Sequence, residues 1–484
     1  MVSNISEVAV IGAGPSGLAA AKFLLAEKKF AKVQIFEQRD TVAGVWAHND
    51  LTVLDDAFTV PRTQPQEGPD TAIYGPEGKG APKFVTPVYD FLETNIPHTL
   101  MNFNDKCFPP GTSLFPTHRT VRQYLEEYAD EIRPIIALFT QVINVVKVPD
   151  GDRQRWEVTT QDLITKQTSR ACFDAVVVAS GHYSDPYIPD IPGLSDFNKT
   201  YAGAISHSKF YKNPSDYKDK KVIVVGNSAS GIDLSAQISK VSKLPVIVSE
   251  KTEPNTPSEE AASWAKHVRE ISRVVTEDRE VHFADGTIEQ GVDHIVFCTG
   301  YFYSFPFLRQ LTPSIETNGS YARNLYQHLI YIHDPTIALI GIPQRVVPFP
   351  FGQAQAAWIS RVWSGRLALP SQAEMQDWIS KTVKEQGESK HLHNLKTPKD
   401  IDYINMLFEQ SNRAVKVDGL ENDGAGKTPP YWGEEKAWTR ERFPLIKLAS
   451  RALGDKRHLV TSLEELGFDF KSYKAGVQQE DKLI

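Results

Sequence analysis

Short β-branched apolar runs alternate along the chain with turn glycines and helix-like segments, a pattern that predicts βαβ units. Val8 to Ile11 is one such run. It leads through Gly12-Ala13-Gly14-Pro15-Ser16-Gly17 into the helix-like LAAAKFLLAEKK, and Val33 to Glu37 reads as the next strand. The design returns with Val222 to Val225, Gly226-Asn227-Ser228-Ala229-Ser230-Gly231, a helical IDLSAQISK and the strand Val246 to Ser249. Ala175 to Ala179 and His294 to Cys298 come late in the two halves and would close their sheets. The expected fold class is α/β with two Rossmann-like dinucleotide-binding domains. Residues 214–302 form the second domain, inserted in a first domain made of residues 1–213 and 303–484, the latter ending in helices.

Residues 47–83 are rich in Pro, Gly, Asp and Thr without helix or strand periodicity, and loops of that length are usually functional. A wall or lid is expected there. Ser371-Gln-Ala-Glu374 is a capping box, in which each end of the tetrad satisfies a backbone donor of the other, so helical cladding should follow it.

Composition adds mainly exclusions. A formal charge of −7 offers no cationic field for nucleic acid or an anionic membrane. No apolar run approaches the roughly 18 residues of a membrane span, and the amino terminus has no signal-peptide pattern, so a cytoplasmic protein is expected. Cys107, Cys172 and Cys298 are too far apart in sequence to read as a disulfide framework, a CxxC pair or a metal cluster. No metal is expected, and a homodimer stays open.

Gly12, Gly14 and Gly17 have the spacing that lets free N–H groups and a helix dipole face a pyrophosphate. Glu37 ends the next strand, where a carboxylate can accept from an adenosine ribose. In the second unit Gly226 and Gly231 keep the outer positions and Ser228 takes the middle one, with Ser228 and Ser230 as hydroxyl donors. Its strand ends Ser249-Glu250-Lys251, where Glu250 argues for a free 2′-hydroxyl and Lys251 for a 2′-phosphate. NADP is favoured, held by Ser249 and Lys251. Two such sites suggest a bound flavin reduced by a nicotinamide donor. A disulfide reductase would need a nearby cysteine pair, so molecular oxygen is the natural acceptor.

Tyr201-Ala-Gly203-Ala-Ile-Ser-His207-Ser-Lys-Phe-Tyr211-Lys212 resembles the flavin-containing monooxygenase fingerprint FxGxxxHxxxY, with Tyr201 for its leading Phe. Tyr211, where Baeyer-Villiger monooxygenases have Trp, separates the chain from those enzymes. Gly44-Val-Trp46, Leu92-Glu-Thr-Asn95-Ile-Pro97, Ser180-Gly181-His182-Tyr183, Thr299-Gly300-Tyr301 and Gln353-Ala-Gln355 resemble the same family in the same order, and Pro430-Tyr-Trp-Gly433 looks most like its yeast-type fungal members. The resemblance implies FAD and NADPH as cofactors. It also implies a C4a-hydroperoxyflavin that passes one oxygen atom to a small soft nucleophile such as a thiol, sulfide or amine. Asn95 matches the family's active-site Asn and would stabilise the oxygenating flavin; Gly44, Trp46 and Gln355 would contact FAD. His207 and Tyr211 are read as structural residues at the domain contact. Baeyer-Villiger oxidation and a nucleotide-binding redox sensor without turnover are the competing readings.

Overall fold

The computed structural model describes residues 4–49, 51, 58–75, 80–251 and 263–480. In chain order, β1 (Glu7–Ile11), β2 (Lys32–Phe36) and β3 (Ile136–Ala137) precede an antiparallel trio, β4 (Thr140–Asp150), β5 (Arg153–Asp162) and β6 (Thr168–Phe173). Next come β7 (Ala175–Val178), β8 (Ile205–His207), β9 (Lys221–Val225), β10 (Lys243–Glu250) and β11 (Ala265–Arg269). A second antiparallel trio, β12 (Ile271–Val275), β13 (Glu280–Phe283) and β14 (Ile288–Glu289), leads to β15 (His294–Phe297). The chain then returns as β16 (Leu325–Tyr326), β17 (Ile330–Tyr331) and β18 (Ile337–Leu339).

The first sheet has the order β16-β17-β18-β7-β1-β2-β3 and the second β11-β10-β9-β15-β8. Their central strands are parallel. Continuous apolar runs suit this arrangement because both faces of a parallel sheet are covered: every residue of β7 and β15 is buried. The helix Pro15–Ala26 packs on one face of the first sheet and against the helix Pro348–Trp363, which is buried at every position from Phe349 onward.

The second sheet takes in a strand that precedes residue 214. β8 is the edge strand of its sheet, paired in parallel with β15, and Ile188, Leu194, Phe197 and Ile205 pack into one core with Ile223, Ile247 and Ile295. A three-residue strand carries too short an apolar run to be read from periodicity.

The capping box forms at the helix Gln372–Gln386, with Ser371 N–H donating to Glu374 Oε2 at 2.8 Å. The helices Lys399–Ser411, Glu434–Ala452 and Phe470–Glu480 complete the carboxyl-terminal cladding. Among the described residues no helix is long and apolar enough to cross a membrane, and no group of His, Cys, Asp and Glu is placed to hold a metal.

Candidate active site

The first loop is shaped by two kinds of glycine. Gly12 has φ +101°, and a Cβ there would lie 2.6 Å from Ala179 O; a Cβ on Gly17 would lie 1.9 Å from Gly12 O. Both are forced by packing of the backbone on itself. A Cβ on Gly14 would meet only Gly44, its Cα at 3.5 Å and its N at 3.9 Å, so the protein's own packing tolerates a side chain and what the glycine keeps open is the cavity it lines. Pro15 begins the helix behind it, whose first-turn N–H groups lack helical acceptors and can face an anion.

Glu37 is buried. Its Oε2 accepts Ala13 N–H at 2.8 Å and its Oε1 accepts Arg39 N–H at 2.9 Å, which leaves lone pairs on both oxygens for ribose hydroxyls. Gly12, Gly14, Glu37, Gly44, Trp46 and Asn95 all line one cavity of about 370 Å³. An open glycine loop, a helix start and a carboxylate with spare acceptors along one cavity fit a flavin dinucleotide. The described part of the predicted loop supplies a wall: Gln66, Pro69 and Asp70 line the cavity, and Asp185 holds that segment through Arg62 Nε at 2.9 Å and Gln66 N–H at 2.6 Å. Residues 50, 52–57 and 76–79 of the loop lie outside the described residues.

Asn95 sits exposed on the turn that follows buried Thr94. The turn is held from behind, because Lys447 Nζ donates to Thr94 O at 2.8 Å and Arg457 pairs with Glu93 at 2.8 Å. Burial pulls the Lys447 ammonium down to about 8. Trp46 meets Phe349 edge to face, with centroids 6.5 Å apart.

Gln355 does not reach the cavity wall. It is fully buried, and its amide accepts Gly341 N–H at 2.9 Å and donates to Tyr403 OH at 3.0 Å. Gly341 does line the cavity, so Gln355 fixes a wall residue from behind. His182, which no motif assigns a role, lines the same cavity and is buried with neither ring nitrogen hydrogen-bonded among the described residues. Burial pushes its imidazole down to about 3, so it is neutral at ordinary pH.

The second loop repeats the backbone of the first. Gly226 also has φ +101°, with a Cβ 2.7 Å from Cys298 O, and a Cβ on Gly231 would lie 1.8 Å from Gly226 O. Ser228 caps the helix Ala229–Ile238 by position, yet its side chain makes no capping hydrogen bond; it is exposed, and Ser230 is half-buried. Ser249 departs from its expected role: it is buried, and its hydroxyl donates to Arg269 O at 3.0 Å, so that proton is not free for a phosphate. Glu250 pairs with His267 Nδ1 at 2.6 Å. Lys251 is exposed.

His207 is fully buried. Its Nε2 donates to Gly300 O at 3.0 Å while Nδ1 accepts Lys209 N–H at 3.1 Å, and burial pushes it down to about 3. Such a ring is a neutral brace between β8 and the turn after β15. Tyr211 stacks edge to face on Tyr89 at 5.3 Å and donates to Gln237 Oε1 at 3.0 Å. Tyr89 in turn donates to Asp233, so the aromatic pair ties a segment preceding the first domain's Asn95 turn to the second domain's helix.

Residues 10–62 match the sequence profile of an NAD(P)-binding Rossmann-like domain. Residues 81–255 and 263–418 match that of the flavin-binding monooxygenase-like family. A thiol-specific monooxygenase of Saccharomyces cerevisiae is 31% identical over 85% of this chain and 86% of its own length. The flavin-containing monooxygenase FMO GS-OX5 of Arabidopsis thaliana is 31% identical over 84% of this chain and 85% of its own. Among solved structures, the S-allyl-L-cysteine S-oxygenase of Allium sativum superposes with a TM-score of 0.75 at 26% identity, covering 95% of this chain and 96% of that one. With two glycine loops of one backbone design and a likeness running through both domains, the chain belongs to the flavin-binding monooxygenase-like family and is an oxidoreductase with FAD and NADPH as its cofactors.

Proposed function

We propose that the protein is an NADPH- and O2-dependent monooxygenase that places one oxygen atom on the sulfur or nitrogen of small soft nucleophiles: thiols, sulfides and amines. The observation that carries this reading is the single cavity joining Gly12, Gly14 and Glu37 to Asn95, a dinucleotide cradle continuous with a polar side chain that has no hydrogen-bond partner among the described residues. Two relatives named for sulfur chemistry, the yeast thiol-specific monooxygenase and the Allium S-oxygenase, favour a sulfur substrate.

FAD belongs in the first site and exchangeable NADPH in the second. The first loop opens into the cavity, whereas Ser228 stands exposed at the second. When bound, FAD would supply the redox chemistry, namely hydride acceptance from NADPH and transfer of one atom of O2 to substrate with the other released as water. The chain's own work is to bind, orient and exclude water. Gly12, Gly14 and the helix start would hold the pyrophosphate, Glu37 would accept hydrogen bonds from the ribose hydroxyls, and Gly44 and Trp46 line the same cavity. Asn95 donates and accepts at the reacting centre through an amide whose turn is fixed by Lys447 and Arg457. His182 is neutral, so it contributes a donor and an acceptor without charge.

The test incubates the yellow holoenzyme with NADPH, air and separate panels of thiols, sulfides, amines and ketones, and follows oxygenated product by mass spectrometry beside NADPH loss and peroxide. Product from a sulfur or nitrogen nucleophile is expected. Esters formed from ketones alone would assign it to Baeyer-Villiger chemistry, and NADPH oxidation unaffected by every panel would leave no oxygenation to explain. Asn95→Ala is expected to keep FAD and NADPH-driven flavin reduction while diverting oxygen to peroxide; retained coupled product formation contradicts its role.

A further inference from the structure

The two sheets can be superposed residue by residue through their hydrogen bonds. Gly12 N–H donates to Phe36 O at 2.8 Å, and Gly226 N–H donates to Ser249 O at 2.9 Å. Phe36 therefore corresponds to Ser249, and Glu37 to Glu250. On the neighbouring strand, Ile35 pairs with Ile136 in the first sheet and Val248 pairs with His267 in the second, so the counterpart of His267 is Ile136.

That one exchange accompanies a different carboxylate position. Beside Ile136, an apolar neighbour, Glu37 folds back onto its nucleotide loop and accepts Ala13 N–H at 2.8 Å. Beside His267, Glu250 is drawn across to β11 and accepts from Nδ1 at 2.6 Å, with both side chains largely buried, at 13% and 8% exposed. A strand-end carboxylate turned toward the ribose binds a free 2′-hydroxyl and repels a 2′-phosphate. We propose that His267 is a cofactor-specificity residue. By holding Glu250 against β11 it withdraws the acid from the ribose side, so that the second site admits a 2′-phosphate beside Lys251. This resolves the opposition between Glu250 and Lys251 in the sequence, and it rests on the second site being the NADPH site.

The substitution that tests it is His267→Ile, which installs the first sheet's own residue. Two readouts are taken on holoenzyme: anaerobic flavin reduction by NADPH and by NADH, and calorimetric binding of adenosine 2′,5′-bisphosphate against AMP. His267→Ile is expected to lower the preference for the 2′-phosphorylated partner by about tenfold in both, equivalent to about 1.4 kcal/mol. Adding Glu250→Gln to that variant is expected to restore the preference, a recovery that a merely structural role for His267 would not give. His267→Gln, which keeps a donor, guards against a variant that does not fold. An unchanged ratio in folded His267→Ile overturns the proposal, and so does a fall that Glu250→Gln fails to reverse. Failure of the parent holoenzyme to reduce its flavin with NADPH would instead overturn the placement of the cofactor on which it rests.

Discussion

Gly12 and Gly226 share a φ of +101°, and Gly17 and Gly231 would each drive a Cβ to within 2 Å of the loop's first carbonyl, at 1.9 and 1.8 Å. Yet the two nucleotide sites diverge wherever a side chain is free to choose. Gly14 faces an internal cavity while Ser228 is exposed; Glu37 turns to its own loop while Glu250 turns to the next strand. The outer glycines are dictated by backbone contact and say only that the turn exists. The two loops differ instead at the middle position and the strand end, where no backbone contact of this kind dictates the residue.

The comparison is broken most severely at the forced glycines. Gly17→Ala and Gly231→Ala each place a methyl on backbone that cannot retreat, a cost well above about 3 kcal/mol. Gly17→Ala is expected to yield no FAD-bound protein. Gly231→Ala is expected to keep FAD, read from the visible absorbance of purified protein, and to lose flavin reduction by NADPH. If Gly231→Ala strips FAD as fully as Gly17→Ala, the two sites are not separate units.

Acid should treat the two sheets alike. The strands of the second sheet carry His207 and His294, both pushed down to about 3 by burial, and beside the first sheet burial pushes His182, just beyond β7, down to about 3 and His328, between β16 and β17, well below the usual imidazole range. Because the unfolded chain takes up these protons below about pH 6.5 and the folded chain does not until about pH 3, their stabilising contribution is complete above 6.5. It is lost progressively as pH falls through that window, by up to about 1.4 kcal/mol per unit and histidine. Hydrogen exchange at pH 5 against pH 7, corrected for intrinsic rates, is expected to show β7 and β17 losing protection along with β8 and β15. Loss confined to the second sheet would deny the contribution of His182 and His328.

Smaller effects sharpen the contrast. Glu37→Gln weakens the charge-assisted bond to Ala13 N–H and is expected to raise the FAD dissociation constant by about tenfold, whereas Glu250→Gln should leave FAD affinity unchanged. Ser228→Gly is expected to change KM for NADPH by no more than about twofold, because its exposed hydroxyl makes no capping hydrogen bond.

Local sequence carried both βαβ units, since apolar runs, glycine turns and the capping box are written in consecutive residues. It could not carry β8, whose three residues join the second sheet only through pairing with β15, some 90 positions later in the chain. The site divides in the same way. Gly12, Gly14, Glu37, Gly44, Trp46 and Asn95 stand in recognisable motifs and share one cavity. Gln355 and Ser249 stand in equally recognisable positions, but their polar groups are committed to Gly341, Tyr403 and Arg269, partners that no local pattern reveals. His267 and Lys447 act on residues 17 and 353 positions away, and neither lies in a motif.

The central claim, that the two sites work in series to put oxygen on a soft nucleophile, is tested most directly with ¹⁸O2. Holoenzyme is given NADPH as sole reductant and a sulfide or tertiary amine that supports turnover, whose oxide keeps the transferred oxygen, and label in the product is measured against NADPH consumed. The account predicts one ¹⁸O atom in product for each NADPH oxidised, with little peroxide. Peroxide equal to the NADPH consumed, or product oxygen drawn from unlabelled water, would contradict it.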